Sequence, residues 1–314
     1  MRKAITALGA AVMAALTLRW LTRPREEMDW RDAEVPGHIA IVDGVGIHYV
    51  ERGRGPDAVV LIHGFGGHTY SFRYLIPDLA RYHRVVAVDL KGFGYSERPQ
   101  KSDYSLSAQA RLVVLLMDVL GIDKASLVGH SMGGEVSMRV AAGWPQRVDK
   151  LVLAASVSGE RIPSLPVTPL IKPMLSLFTR VFGRWLFRRM FYDRRNATEE
   201  ALEAYRAPAR ICGSRDATYQ VIRDFRRDKR VAFERIVAPV LILWAARERI
   251  VPRWGLSRLR KRFPRAEVVT IERAGHLLLE EQPEQCNAAI RRFLTGDKVA
   301  PAVSEAVDSA QTRS

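Results

Sequence analysis

The chain predicts an α/β fold, a parallel sheet with helices on both faces that a helical insertion interrupts. Three observations carry this expectation. Short apolar, β-branched runs alternate with amphipathic segments between residues 58 and 154, and such strand–helix alternation builds a parallel sheet covered on both sides. The alternation stops between Ser158 and Glu234, where no strand pattern occurs. It resumes at Val240 and continues to Leu294.

The elements follow in order. Arg2 and Lys3 precede an unbroken run of apolar or small residues, Ala4–Leu18, which Arg19 and Trp20 close. A spanning helix needs about 20 residues. With Arg19 snorkelling and Trp20 at the interface, residues 1–21 read as a membrane anchor. A cleaved signal, giving a secreted or periplasmic protein, and a surface amphipathic helix are the other readings. Arginines stand on both sides of the run, so neither orientation is favoured. Residues 22–35 form a polar linker. The strand-like runs Ile39–Val42 and Ile47–Glu51 flank a glycine-containing hairpin signal.

Ala58–Ile62 reads as a buried strand, Tyr70–Arg81 as a helix and Arg84–Val88 as a strand. Leu106–Leu120 reads as a helix capped by Ser105. Ala125–Val128 is a strand, Met132–Gly143 a helix stopped by Pro145, and Lys150–Ala154 a strand. Residues 158–234 open on four prolines, and Met174–Phe191 then mixes large apolar residues with arginines. This section reads as a helical insertion. Val240–Trp244, a helix near Trp254–Phe263, the strand Glu267–Ile271 and the helix Pro283–Leu294 complete the core. The expected core is therefore 36–157 with 235–295, followed by a small, polar, disordered tail, 296–314.

Charge limits the partners. The 314 residues hold 49 Lys+Arg against 34 Asp+Glu, a net charge of +15, which favours anionic surfaces. The arginines of the insertion interleave with apolar residues and no nucleic-acid motif occurs, so a membrane surface is expected and nucleic acid is not. Cys212 and Cys286 can form neither a metal site nor a disulfide framework. Both read as buried apolar residues.

The chemistry centres on Val128–Glu135 (VGHSMGGE). A strand, Gly129-His130-Ser131-Met132-Gly133 and a helix make a G-x-S-x-G nucleophile elbow. Its turn lifts the Ser131 hydroxyl above the strand ends, at a helix N-terminus that stabilises negative charge. His130 lines or packs the elbow. Serine needs a base held by a third group. His276, in the loop after Glu267–Ile271, is the candidate base. Glu248, after Val240–Trp244, is the candidate acid, with Glu160 as the alternative. Two backbone N–H groups should receive the developing alkoxide. Met132, directly after the nucleophile, and Phe65, in His63–His68 (HGFGGH), are the candidates. That glycine-rich loop lacks the Lys-Ser/Thr of a phosphate loop.

Together, His63-Gly-Phe-Gly-Gly, Asp89–Ser96 (DLKGFGYS), Gly129–Gly134 and Gly275-His276 resemble the α/β-hydrolase superfamily over roughly residues 36–295. The resemblance implies an eight-stranded, mostly parallel sheet, a cap over the site, and Ser–acid–His chemistry without metal or cofactor. It also implies that Asp89–Ser96 shapes a loop under the site. The chain departs from the family pattern at the acid, where Ala245 and Glu248 replace the usual glycine and aspartate. Epoxide hydrolases and haloalkane dehalogenases of this fold use an aspartate nucleophile, so Ser131 points instead to acyl transfer. The expected activity is hydrolysis of small lipophilic carboxylic esters, as by a carboxylesterase or a lipase of monoacylglycerol-like substrates. Thioester or C–C bond hydrolysis on the same residues, and a catalytically inactive binding module, are the alternatives.

Overall fold

The computed structural model describes residues 26–159 and 182–296. The expected anchor at 1–21, Glu160 and the tail beyond Gly296 lie outside the described residues. Among those residues, no helix is long and apolar enough to cross a membrane.

Eight strands form one sheet: β1 His38–Val42, β2 Val45–Arg52, β3 Ala58–Ile62, β4 Arg84–Val88, β5 Ala125–His130, β6 Val148–Ala154, β7 Val240–Ala245 and β8 Glu267–Ile271. Their spatial order is β1-β2-β4-β3-β5-β6-β7-β8. β1 and β2 pair antiparallel, as do β2 and β4, and every other pair is parallel. The central strands are continuous apolar runs because both of their faces are covered. Alternate residues serve opposite cores. Val60, Ile62, Leu127 and Ile242 pack with residues of the helices Leu106–Val119 and Met132–Gly143. Val59, Leu61, Val128 and Leu243 pack with residues of Leu75–Leu79 and Pro283–Thr295.

Three local expectations change. The hairpin turn is only Asp43-Gly44, because Val42 pairs directly with Val45. The helix expected over Tyr70–Arg81 is two pieces, a 3-10 turn at Thr69–Phe72 and an α-helix at Leu75–Leu79. Pro77 explains the break, since its ring clashes with the carbonyl four residues earlier in a continuous helix. Of the cysteines, Cys286 is buried as expected, but Cys212 is exposed, where its N–H meets the Met28 carbonyl at 2.8 Å.

Asp89 directly follows β4 and ties together the loops beneath the site. It accepts hydrogen bonds from His48 Nδ1 (2.8 Å), Thr69 N–H (2.6 Å) and Tyr95 N–H (2.8 Å). Burial alone would raise its pKa, but the bond and charge of His48 outweigh it and hold the carboxyl at about 2.

Between β6 and β7, the insertion contains helical residues 182–190 and the helices Glu199–Arg206 and Ser214–Asp224. Phe187, Phe191, Ala201 and Leu202 pack there with Leu277 of the His276 loop. The start of the described chain is fastened to this insertion. Glu27 and Met28 N–H groups donate to the Arg210 carbonyl (2.7 and 3.2 Å). The Glu26 carboxylate accepts from Gly213 and Arg215 N–H (3.0 and 2.8 Å).

Candidate active site

Ser131 stands between β5 and the helix Met132–Gly143 with φ 53° and ψ −118°. A side-chain-bearing residue seldom adopts this conformation, at a cost of about 1–3 kcal/mol. The surroundings enforce it. Ser131 N–H donates to the Ala154 carbonyl (2.9 Å), and its own carbonyl accepts from Gly134 N–H (3.0 Å). The flanking glycines are steric necessities. A Cβ at Gly133 would stand 2.1 Å from the Ile62 carbonyl oxygen, and one at Gly129 would stand 2.4 Å from that of Gly133.

The structure brings Ser131, His276 and Glu248 into one chain of hydrogen bonds. His276 Nε2 lies 3.1 Å from Ser131 Oγ, and Nδ1 lies 2.9 Å from Glu248 Oε2. A carboxylate only accepts, so Nδ1 carries the proton and Nε2 is left to receive that of the serine. Both partners are sheltered, with 4% of the His276 side chain and 1% of the Glu248 side chain exposed. The second glutamate oxygen, Oε1, accepts the N–H groups of Arg249, Ile250 and Val251 at 2.9, 2.7 and 3.1 Å. Burial pushes the Glu248 pKa up, but the His276 bond and charge, with the N–H groups, bring it below the ordinary glutamate value.

The glycine-rich loop after β3 passes directly over the elbow. A Cβ at Gly64 would come within 3.0 Å of Ser131 Cβ. Among the described residues, no hydrogen-bond acceptor lies against the N–H of Phe65 or of Met132. His63 fixes this loop. Its Nε2 accepts Leu90 N–H (3.0 Å), so Nδ1 carries the hydrogen that it donates to the Gly64 carbonyl (2.7 Å). Burial lowers its pKa to about 4, which keeps the ring neutral. His130 supports the base loop in the same manner, its Nε2 donating to the His276 carbonyl at 2.8 Å. Burial lowers its pKa to about 3.

Sequence reasoning missed Glu281. Its Oε2 accepts Gly275 N–H (2.6 Å) and Tyr192 N–H (2.9 Å), and its Oε1 accepts Asp193 N–H (2.9 Å). One buried carboxylate thus clamps the insertion to the loop that carries His276. Contact is close, since a Cβ at Gly275 would stand 2.5 Å from the Met190 carbonyl oxygen. The available signal was two adjacent carboxylates ending the apolar run Leu277–Leu279, with no lysine or arginine between Arg273 and Arg291. Its neighbour Glu280 forms a second seam, bonding Tyr205 of the insertion and Arg73 (2.5 Å). Glu281→Gln turns one end of the carboxylate into an NH₂ group, which cannot accept the N–H donors that meet it. It is expected to lower kcat about 10- to 100-fold with a smaller change in KM, and Glu281→Asp should recover part of the loss. Steady-state kinetics on a soluble ester check this.

Residues 57–283 match the family profile described as the alpha/beta hydrolase fold. The chain is 31% identical over 263 residues to the uncharacterized hydrolase YugF of Bacillus subtilis (strain 168), covering 81% of this chain and 96% of that protein. It is 30% identical over 262 residues to a 2-hydroxy-6-oxononadienedioate/2-hydroxy-6-oxononatrienedioate hydrolase of Burkholderia vietnamiensis, covering 79% and 90%. Among solved structures, the 2-hydroxy-6-oxo-6-phenylhexa-2,4-dienoate hydrolase of Rhodococcus sp. strain RHA1 superposes with a TM-score of 0.70 at 26% identity, over 82% of this chain and 99% of that one. Sheet order, nucleophile elbow and sequence agree, and this chain belongs to the alpha/beta hydrolase family.

Proposed function

We propose that the protein is a serine hydrolase that cleaves small lipophilic carboxylic esters through an acyl-enzyme. The observation that carries this reading is the continuous Ser131–His276–Glu248 hydrogen-bond chain at a strained elbow. In this reading, Ser131 Oγ attacks the ester carbonyl while its proton passes to His276 Nε2. Glu248 holds the imidazole in that tautomer and stabilises the imidazolium. The N–H groups of Phe65 and Met132 receive the oxyanion. His276 returns the proton to the leaving alcohol, then takes one from water, which releases the acid and frees Ser131. These steps need no cofactor. Phe65, half-exposed on the loop that passes over Ser131, favours an apolar acyl group.

The same residues can hydrolyse a C–C bond beside a ketone. The relatives named as 2-hydroxy-6-oxo-dienoate-type hydrolases support that second reading.

Turnover of p-nitrophenyl esters of graded chain length, beside a 2-hydroxy-6-oxo-dienoate, separates the two. The wild type is expected to release a burst of nitrophenol equal to the enzyme present, and Ser131→Ala to lose about 10⁴–10⁶ of the rate. Turnover of the dienoate alone would select the second reading. Turnover of neither substrate would leave a thioester hydrolase or a binding module.

A further inference from the structure

We infer that the insertion docks on an anionic lipid bilayer through the outward face of helical residues 182–190. This inference rests on the proposed lipophilic-ester activity only in its purpose, since it names the surface at which such a substrate would meet the site. At 100° per residue, the helix divides into two halves. Gly183, Leu186, Phe187 and Met190 lie on the half facing the protein, where Phe187 and Met190 join the insertion's core. Every residue of the other half is exposed, and every one is aromatic or arginine: Phe182, Arg184, Trp185, Arg188 and Arg189.

Trp185 is 56% exposed and Phe182 is 48% exposed. The Trp185 ring, placed outward among exposed arginines, forms with them a surface suited to contact. Tryptophan prefers the membrane–water interface. The charge complements anionic headgroups. The Arg189 guanidinium lies 5.5 Å from the Trp185 ring centroid, and among the described residues no carboxylate lies within ion-pair reach of Arg188 or Arg189. Arginines beside an exposed indole are the combination that anchors a helix at an anionic interface.

The start of the described chain is tied to the same insertion. Glu26, Glu27 and Met28 are bonded to residues 210–215 of the insertion. That stretch joins the helix Glu199–Arg206, and Tyr205 of this helix packs on Phe187 at 5.4 Å between ring centroids. The sequence run expected to enter a membrane, 1–21, precedes Glu26 by residues 22–25 alone. Those four residues can span at most about 14 Å. A bilayer holding the run would therefore lie close to the segment that is bonded to the insertion.

The test uses the full chain with vesicles of phosphatidylcholine, with and without phosphatidylglycerol, carrying brominated acyl chains that quench nearby indoles. The protein has six tryptophans, so the difference between wild type and Trp185→Phe isolates this one. The expected result is a component of quenching on the anionic vesicles that Trp185→Phe removes and that Arg188→Glu with Arg189→Glu reduces several-fold. Equal quenching of wild type and Trp185→Phe would overturn the inference. So would a Trp185 response to duplex oligonucleotide without one to vesicles, which would assign the face to nucleic acid. Quenching requires no turnover and is repeated in Ser131→Ala. A protein that quenches but cleaves no ester sinks the activity and keeps the docking surface, and the reverse result does the opposite.

Discussion

Glu248→Gln is expected to lower kcat on an activated ester by about 10⁴ while the protein stays folded. The reason lies in the two ends of one carboxylate. Oε1 sits in a cluster of three backbone N–H donors, and Oε2 faces His276 Nδ1. A glutamine amide has one acceptor oxygen, and the three donors claim it. Its NH₂ group must then face His276, which makes Nδ1 the acceptor and moves the ring hydrogen to Nε2. The imidazole then presents a donor to the Ser131 hydroxyl and cannot take its proton. The variant also loses the negative charge that would offset the imidazolium. Steady-state kinetics with thermal unfolding as a folding control decide it. Activity within tenfold of wild type in a folded Glu248→Gln protein would remove Glu248 from the mechanism.

The same residue shows how far the sequence could be read. Ser131 and His276 announce themselves through local pattern, because the elbow needs glycines at fixed spacing and the base follows the last strand. Glu248 was legible only as the sole carboxylate in its loop. What compensates for its extra methylene, the three N–H groups of residues 249–251, depends on the path of the backbone there. The strands were legible because a central parallel strand must be apolar on both faces, as in Ala58–Ile62. Contacts made by the insertion were not. Glu281 joins Gly275 to Tyr192 and Asp193, which lie 89 and 88 residues before it in sequence, and no periodicity encodes such a meeting. The interleaved aromatics and arginines of 182–190 were visible, but which half of that helix faces outward followed only from where Phe187 packs.

Mild acid is expected to destabilise the protein steeply between pH 6.5 and pH 4.5, by about 5 kcal/mol. His63 and His130 are buried, with pKa values lowered by burial to about 4 and about 3 from an ordinary 6.5. Above pH 6.5 neither state holds these protons and stability is unaffected. Below it, the unfolded chain binds them and the folded chain does not, so each pH unit costs about 1.4 kcal/mol per histidine. Asp89 does not contribute in this window. Its folded pKa is lowered from 3.8 to about 2, so its stabilisation is fully present above 3.8 and fades only as pH falls from there toward 2. A loss of about 5 kcal/mol is comparable to the whole stability of many domains. Urea midpoints at pH 7.5, 5.5 and 4.5 measure the slope, and His130→Asn should reduce it, burial lowering His68 and His83 in the same direction. A profile that stays flat to pH 4.5 would show that these rings accept protons while folded. Their neutrality also bears on the proposed chemistry. The His130 ring centroid lies 4.9 Å from that of His276, which must become positively charged in each turnover. A protonated His130 would repel that charge where burial makes repulsion strong. The burial that weakens the fold in acid therefore keeps an uncharged neighbour beside the base.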